Sequence, residues 1–192
     1  DPRNVVDTWQ ALARYRMEHR DARTPPADLS GRPDIDLLEA VADFRRWLAG
    51  QPVEPKTLDL VGHLETLANH FAGSFATPPS FDALWRLAHP ERLPCMRRHT
   101  FDLLTPRTKT AWEKAAGKDR GRELNEAASV HFARVDHCYR VILGRIATAL
   151  VAKLSDELDE VLADYAAFKR AAAVLDFDDL LEQARKLVRE HD

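Results

Sequence analysis

Apolar side chains recur three and four residues apart along almost the whole chain, and no stretch sustains an alternation of apolar and polar positions. A spacing of three and four follows the turn of an α-helix, whereas a period of two would mark a strand. The pattern predicts an all-α fold, an irregular multi-helix bundle. Val5, Val6, Trp9, Leu12, Ala13 and Met17 mark one face of a first helix, and the proline-containing stretch TPPADLSGRP (24–33) interrupts it. Asp34 is the expected N-cap of a second helix with Leu37, Leu38, Val41, Phe44, Trp47 and Leu48 inward, stopped at Gly50. A third runs from about Thr57 through Leu60, Val61, Leu64, Leu67, Ala68 and Phe71 and ends near Gly73. Ser80 is placed to cap a short helix bearing Phe81, Leu84 and Leu87 before Pro90.

Between 89 and 122 the periodicity weakens, with a short helix expected around Trp112. The last third carries the strongest pattern. Leu124, Ala128, Val135, Cys138, Ile142, Ile146, Ala149, Leu150, Leu154, Leu158, Val161, Leu162, Tyr165 and Phe168 keep helical spacing, and no proline follows Pro106. One very long helix or two helices broken near Ser155 would both satisfy it. A final helix would turn Leu180, Leu181, Ala184, Leu187 and Val188 inward. No repeat of fixed period is present.

Composition narrows the class. The 192 residues are 45% hydrophobic and 31% charged with seven glycines, values of an ordered globular chain long enough to bury a core. No apolar run reaches the ~20 residues of a membrane helix, and the opening DPRNVVDTWQ lacks the pattern of a secretion signal. Cys95 and Cys138 form no CxxC pair and are too few for a disulfide framework, which makes a cytoplasmic location the expectation. Charge is near balance, with 28 Lys and Arg against 31 Asp and Glu, but it is unevenly spread. From Arg86 to Arg122 ten basic side chains face four acidic ones, a net of +6, so the remainder of the chain carries −9.

Several chemistries lack the residues they need. His131 and His137 would lie about 600° apart on a helix, off any shared face, so with Cys138 they make no zinc site, and no metal is expected. Neither cysteine has an orienting group that would make a Cys–His nucleophile, and no catalytic residue is assigned. The Gly-Lys pair in AAGKDRG (115–121) is not part of a phosphate-binding GxxxxGK[ST] loop. Asp176, Phe177, Asp178 and Asp179 have no calcium-loop spacing; Asp176 fits an N-cap, with Asp178 and Asp179 meeting the positive end of a helix dipole. The basic stretch is different. Arg97, Arg98, Arg107, Lys109, Lys114, Lys118, Arg120 and Arg122 cluster as phosphate-backbone binding requires, and Trp112 among them would offer a base a stacking surface. The alternative is a solvated basic loop whose Trp112 belongs to the core.

The segment YAAFKRAAAVLDFDDLLEQARKL (165–187) resembles a motif of UvrD-like superfamily 1 DNA helicases, including the RecB/AddA helicase-exonuclease branch. The matching residues are Tyr165, Lys169, Leu175, Asp176, Phe177, Asp178, Asp179, Leu180 and Leu181. In that family the motif lies where the helical accessory subdomain called 1B returns to the first RecA-like motor domain. The resemblance implies that residues 1–175 are a helical accessory subdomain and 176–192 a helix returning toward the motor domain, with Phe177, Leu180 and Leu181 docking onto it. It implies a DNA-binding accessory role in unwinding and repair or recombination, at a forked or single-strand/duplex junction. It also implies no cofactor for this chain itself, ATP and Mg2+ for the parent, and a nuclease partner subunit or domain in the RecB/AddA branch. A rival expectation is a helical protein-protein scaffold, either within a helicase-nuclease complex or as an unrelated regulator. An independent enzyme ranks third.

Overall fold

The computed structural model describes residues 31–97 and 100–172, together with 174, 180, 181, 184, 187 and 188. The first expected helix, Arg98, the Asp176–Asp179 cluster and the expected boundary at 175/176 lie outside the described residues. The helices α1 (Pro33–Ala49), α2 (Pro55–Phe71), α3 (Phe81–Ala88), α4 (Lys109–Ala116) and α5 (Lys118–Ala171) make the fold all-α. Among the described residues the sole β feature is an isolated antiparallel bridge, Met96 to Leu103. Two compact units are present: Pro26–Leu150, and Asp1–Pro25 with Val151–Asp192.

Local chemistry explains where the helices start. Pro33 has no N–H to leave unpaired and a φ suited to the first helical position, so α1 opens there and Arg32 takes the N-cap position without a side-chain cap. Asp34 is therefore not the cap the sequence suggested. Its side chain is fully buried, accepts from the Arg32 guanidinium at 2.8 and 3.0 Å, and also accepts the Gly73 N–H at 2.9 Å. Gly73 sits just past α2 with φ +76°, a conformation that favours glycine. Glu54 caps α2, accepting the N–H groups of Lys56 and Thr57 at 3.0 and 2.7 Å and the Thr57 hydroxyl at 2.6 Å. Gly50 ends α1, and the Ser80 hydroxyl accepts the Ala83 N–H to start α3, both as the sequence indicates.

The core of Pro26–Leu150 joins one face of each helix. Leu37, Val41 and Phe44 of α1 meet Val61, Leu64, Leu67 and Phe71 of α2, and Leu124, Val135, Tyr139, Ile142 and Ile146 of α5 belong to the same cluster. Arg45 to Glu65 links α1 to α2, and Arg134 to Asp43 links α5 to α1, at 3.5 and 2.6 Å. The stretch joining α3 to α4 adds Cys95, Met96 and Leu103 to the core.

α5 runs unbroken through Ser155, which settles the choice between one helix and two. No glycine or proline occurs from 145 to 171, so nothing in the backbone interrupts it. In the unit containing its second part, Leu158 is buried whereas Val151, Val161, Tyr165 and Phe168 are exposed. The Lys169 ammonium lies 4.8 Å from the centre of the Tyr165 ring, a cation–π pair one helical turn apart.

Candidate nucleic-acid interface

The weakly periodic stretch 89–122 builds two anchored pieces within Pro26–Leu150. The first is a loop closed by the Met96–Leu103 bridge, where the Arg97 N–H bonds Asp102 O and the Leu104 N–H bonds Cys95 O, each at 2.8 Å. Phe101 in this loop adopts φ +57°, uncommon for a side chain of that size, and its carbonyl accepts the Tyr139 hydroxyl at 3.1 Å. Tyr139 is buried on α5, and burial, assisted by Asp102, pushes its phenol well above the usual range. The phenol therefore stays a donor. Arg97 is exposed on this docked loop.

The second piece is the elbow between α4 and α5. Gly117 turns the chain at φ +81°, and Gly121 then passes so close to α4 that a Cβ would meet the Glu113 backbone at 2.5 Å. The Thr108 hydroxyl donates to the Asn125 side-chain oxygen at 3.0 Å, tying the start of α4 to the second turn of α5. Arg107 and Lys109 flank Thr108 in sequence. Lys118 and Arg122, four residues apart, lie on the α5 face that continues to Asn125. The elbow thus gathers Arg107, Lys109, Lys118 and Arg122. Lys114, about 200° around α4 from buried Trp112, points away from the core. The Arg97 loop docks at Tyr139, roughly 20 Å farther along α5 than Asn125.

Arg86, Arg92, Arg97, Arg107, Lys109, Lys114, Lys118 and Arg122 are exposed, and among the described residues none of these eight forms an ion pair. Arg120 is paired with Glu123 at 2.9 Å. Elsewhere Arg32, Arg45, Arg46, Arg134 and Arg140 each hold a carboxylate of the protein itself.

Trp112 requires a correction. It is fully buried, packs edge-on to Trp47 at 6.0 Å, and cannot stack with a base in this fold. Its Nε1 has no hydrogen-bond partner. Trp47 and Phe44 also flank His131, whose pKa burial lowers against the opposing pull of Asp43. This corner is an aromatic core, and an indole three residues into α4 fills it because α4 is pressed onto α5 at Gly121.

No protein-family model, curated protein or solved structure matches this chain. The geometry stands alone.

An open cleft of about 250 Å³ between α1 and α5 is lined by Asp36, Glu39, Arg134, His137 and Cys138. Burial, then Asp36, raises the Cys138 pKa, and burial raises that of Cys95, so both thiols stay protonated near neutral pH. No group of three or more metal-ligating side chains occurs among the described residues. No helix among them is long and apolar enough to cross a membrane.

One exposed aromatic escaped the sequence reading. Trp85 on α3 is 55% exposed and belongs to a row of rings, Phe81, Trp85 and His89, spaced by four. The i, i+4 spacing of Phe81, Trp85 and His89 is the signal the sequence carries.

Proposed function

We propose that this chain is a DNA-binding helical accessory subdomain of a UvrD-like helicase or helicase-exonuclease, acting in unwinding and in repair or recombination. It performs no chemistry by itself. It holds forked or junction DNA by its phosphates while RecA-like motor domains, which bind ATP and Mg2+, translocate. The observation that carries this reading is the set of eight exposed cations along 86–122 that form no ion pair among the described residues, in a chain of net charge −3. A cation without a protein carboxylate is free to replace a condensed counterion on DNA. The elbow and the Arg97 loop, spaced along α5, would contact phosphates about six base pairs apart at ~3.4 Å per step. The motif at Tyr165 and Lys169 adds the resemblance to the helicase family.

The scaffold reading has its own support in the exposed Val161, Tyr165, Phe168, Leu180 and Leu181, which suit docking to a motor domain or partner subunit. Salt separates the two readings. Anisotropy titration of the chain with a labelled forked duplex should show affinity falling steeply with salt. Replacing Arg107, Lys109, Lys118 and Arg122 with alanine should flatten the log–log slope by up to about 3.6, at ~0.9 per phosphate contact. Binding that ignores salt, or a slope untouched by the four substitutions, would refute the phosphate assignment.

A further inference from the structure

We infer that the aromatic row of α3, Phe81, Trp85 and His89, is a stacking platform for an unpaired base of single-stranded nucleic acid. This deepens the DNA-binding reading and rests on it. Three observations converge on these residues. First, Trp85 leaves 55% of its surface in water, an unusual disposition for the largest apolar side chain. Second, the ring is held in place before any ligand arrives. His89 lies 4.5 Å from the indole and its Nδ1 meets the Trp85 carbonyl at 2.8 Å, which fixes the imidazole against that side. Phe81 is nearly parallel to the indole, at 17° with ring centres 6.4 Å apart, so the three rings form one row of packed aromatics. The exposed part of the indole is what a flat base can lie against.

Third, charge selects the kind of ligand. Trp85 immediately precedes the stretch 86–122 of net charge +6, whose Arg86 and Arg92 are exposed; Asp82 and Glu91 are exposed as well, so the attraction for an anion comes from the stretch as a whole. The other large exposed aromatics, Tyr165 and Phe168, follow Asp156, Glu157, Glu160 and Asp164 in sequence, carboxylates that repel phosphates. An exposed indole at the edge of a basic stretch suits a polyanion that carries π-faces. Every base has such a face, so the platform tolerates any sequence and requires only that the base be unpaired.

The test uses the whole chain with a labelled oligothymidylate and a blunt duplex of equal length, by anisotropy at low and moderate salt. Trp85→Ala should weaken the single strand about tenfold and leave duplex affinity and the single-strand salt slope unchanged. Trp85→Phe should retain most of the affinity. Equal single-strand affinity in wild type and Trp85→Ala would overturn the platform while leaving the phosphate reading intact. Absence of binding to any nucleic acid by the wild type at low salt would overturn both. Self-association of the wild type that Trp85→Ala abolishes would assign the surface to a second copy and also overturn the proposal. Because Trp85 is largely exposed, circular dichroism of the variant should match the wild type.

Discussion

Replacing Gly121 with alanine sets two effects of opposite sign against each other at one atom. In an open helix interior, glycine to alanine stabilises by about 1 kcal/mol, since alanine has less backbone freedom to lose. At Gly121 the new Cβ would lie 2.5 Å from the Cα and N of Glu113 and 2.6 Å from the carbonyl carbon of Trp112. Those are backbone atoms, so relief requires moving α4 as a body and loosening Trp112 in its pocket. Overpacking of this kind costs about 1–3 kcal/mol, and a rigid neighbour puts it at the upper end. The net expectation is a destabilisation of about 2 kcal/mol, lowering Tm by about 4–8 °C. Gly144 on the same helix has nothing within 4 Å of its added Cβ, so Gly144→Ala should instead stabilise by up to about 1 kcal/mol. Thermal and urea unfolding followed by circular dichroism compare the two variants directly. If Gly121→Ala gains stability as Gly144→Ala does, the close approach of α4 to α5, and with it the elbow that gathers the cations, is wrong.

Two further perturbations probe the groups that hold the fold around the interface. The Arg32 guanidinium and the Gly73 N–H hold the Asp34 carboxyl below the usual carboxylate range despite burial. A depressed folded pKa means that this stabilisation is present at neutral pH and is lost as pH falls through the acid range. Asp34→Asn should therefore cost about 2 kcal/mol at pH 7 and reduce the acid sensitivity of urea unfolding, and an unchanged pH profile would count against it. Tyr139→Phe keeps the buried ring but leaves the Phe101 carbonyl without its donor, for a loss of about 1 kcal/mol. Hydrogen exchange at the Arg97 and Leu104 amides should quicken in that variant, and unchanged protection would mean that Tyr139 does not pin the loop.

The helices were legible because their stabilising residues are local and periodic: Leu37, Val41 and Phe44, or Val135, Ile142 and Ile146, mark a buried face without any knowledge of partners. What sequence missed depended on contacts from afar. Asp34 looked like a cap because aspartate commonly caps, but Pro33 claimed the first helical position and the carboxylate found Gly73, 39 residues away. Glu54 was overlooked as a cap because its side chain is longer than the usual ones. Trp112 is buried for the same reason. A tryptophan among basic residues suggests stacking, yet whether it is open or buried is decided by Trp47 and by the α4–α5 approach at Gly121, which no local pattern encodes. That eight cations of 86–122 meet no carboxylate among the described residues was likewise invisible, because it depends on how distant acids are placed.

The buried Asp34 also bears on how the chain acquires its shape. The first turn of α1 is bound to the turn that follows α2, so one carboxylate closes the helical hairpin 33–73 at both ends. The Asp34 bonds, the Glu54 cap and the Arg45 to Glu65 pair all lie within one continuous stretch of chain that ends at Gly73. Short sequence separations keep the entropic barrier to closure low. As the chain leaves the ribosome, the hairpin can assemble while α5 is still being synthesised, and the long helix then condenses onto an apolar surface already waiting for it.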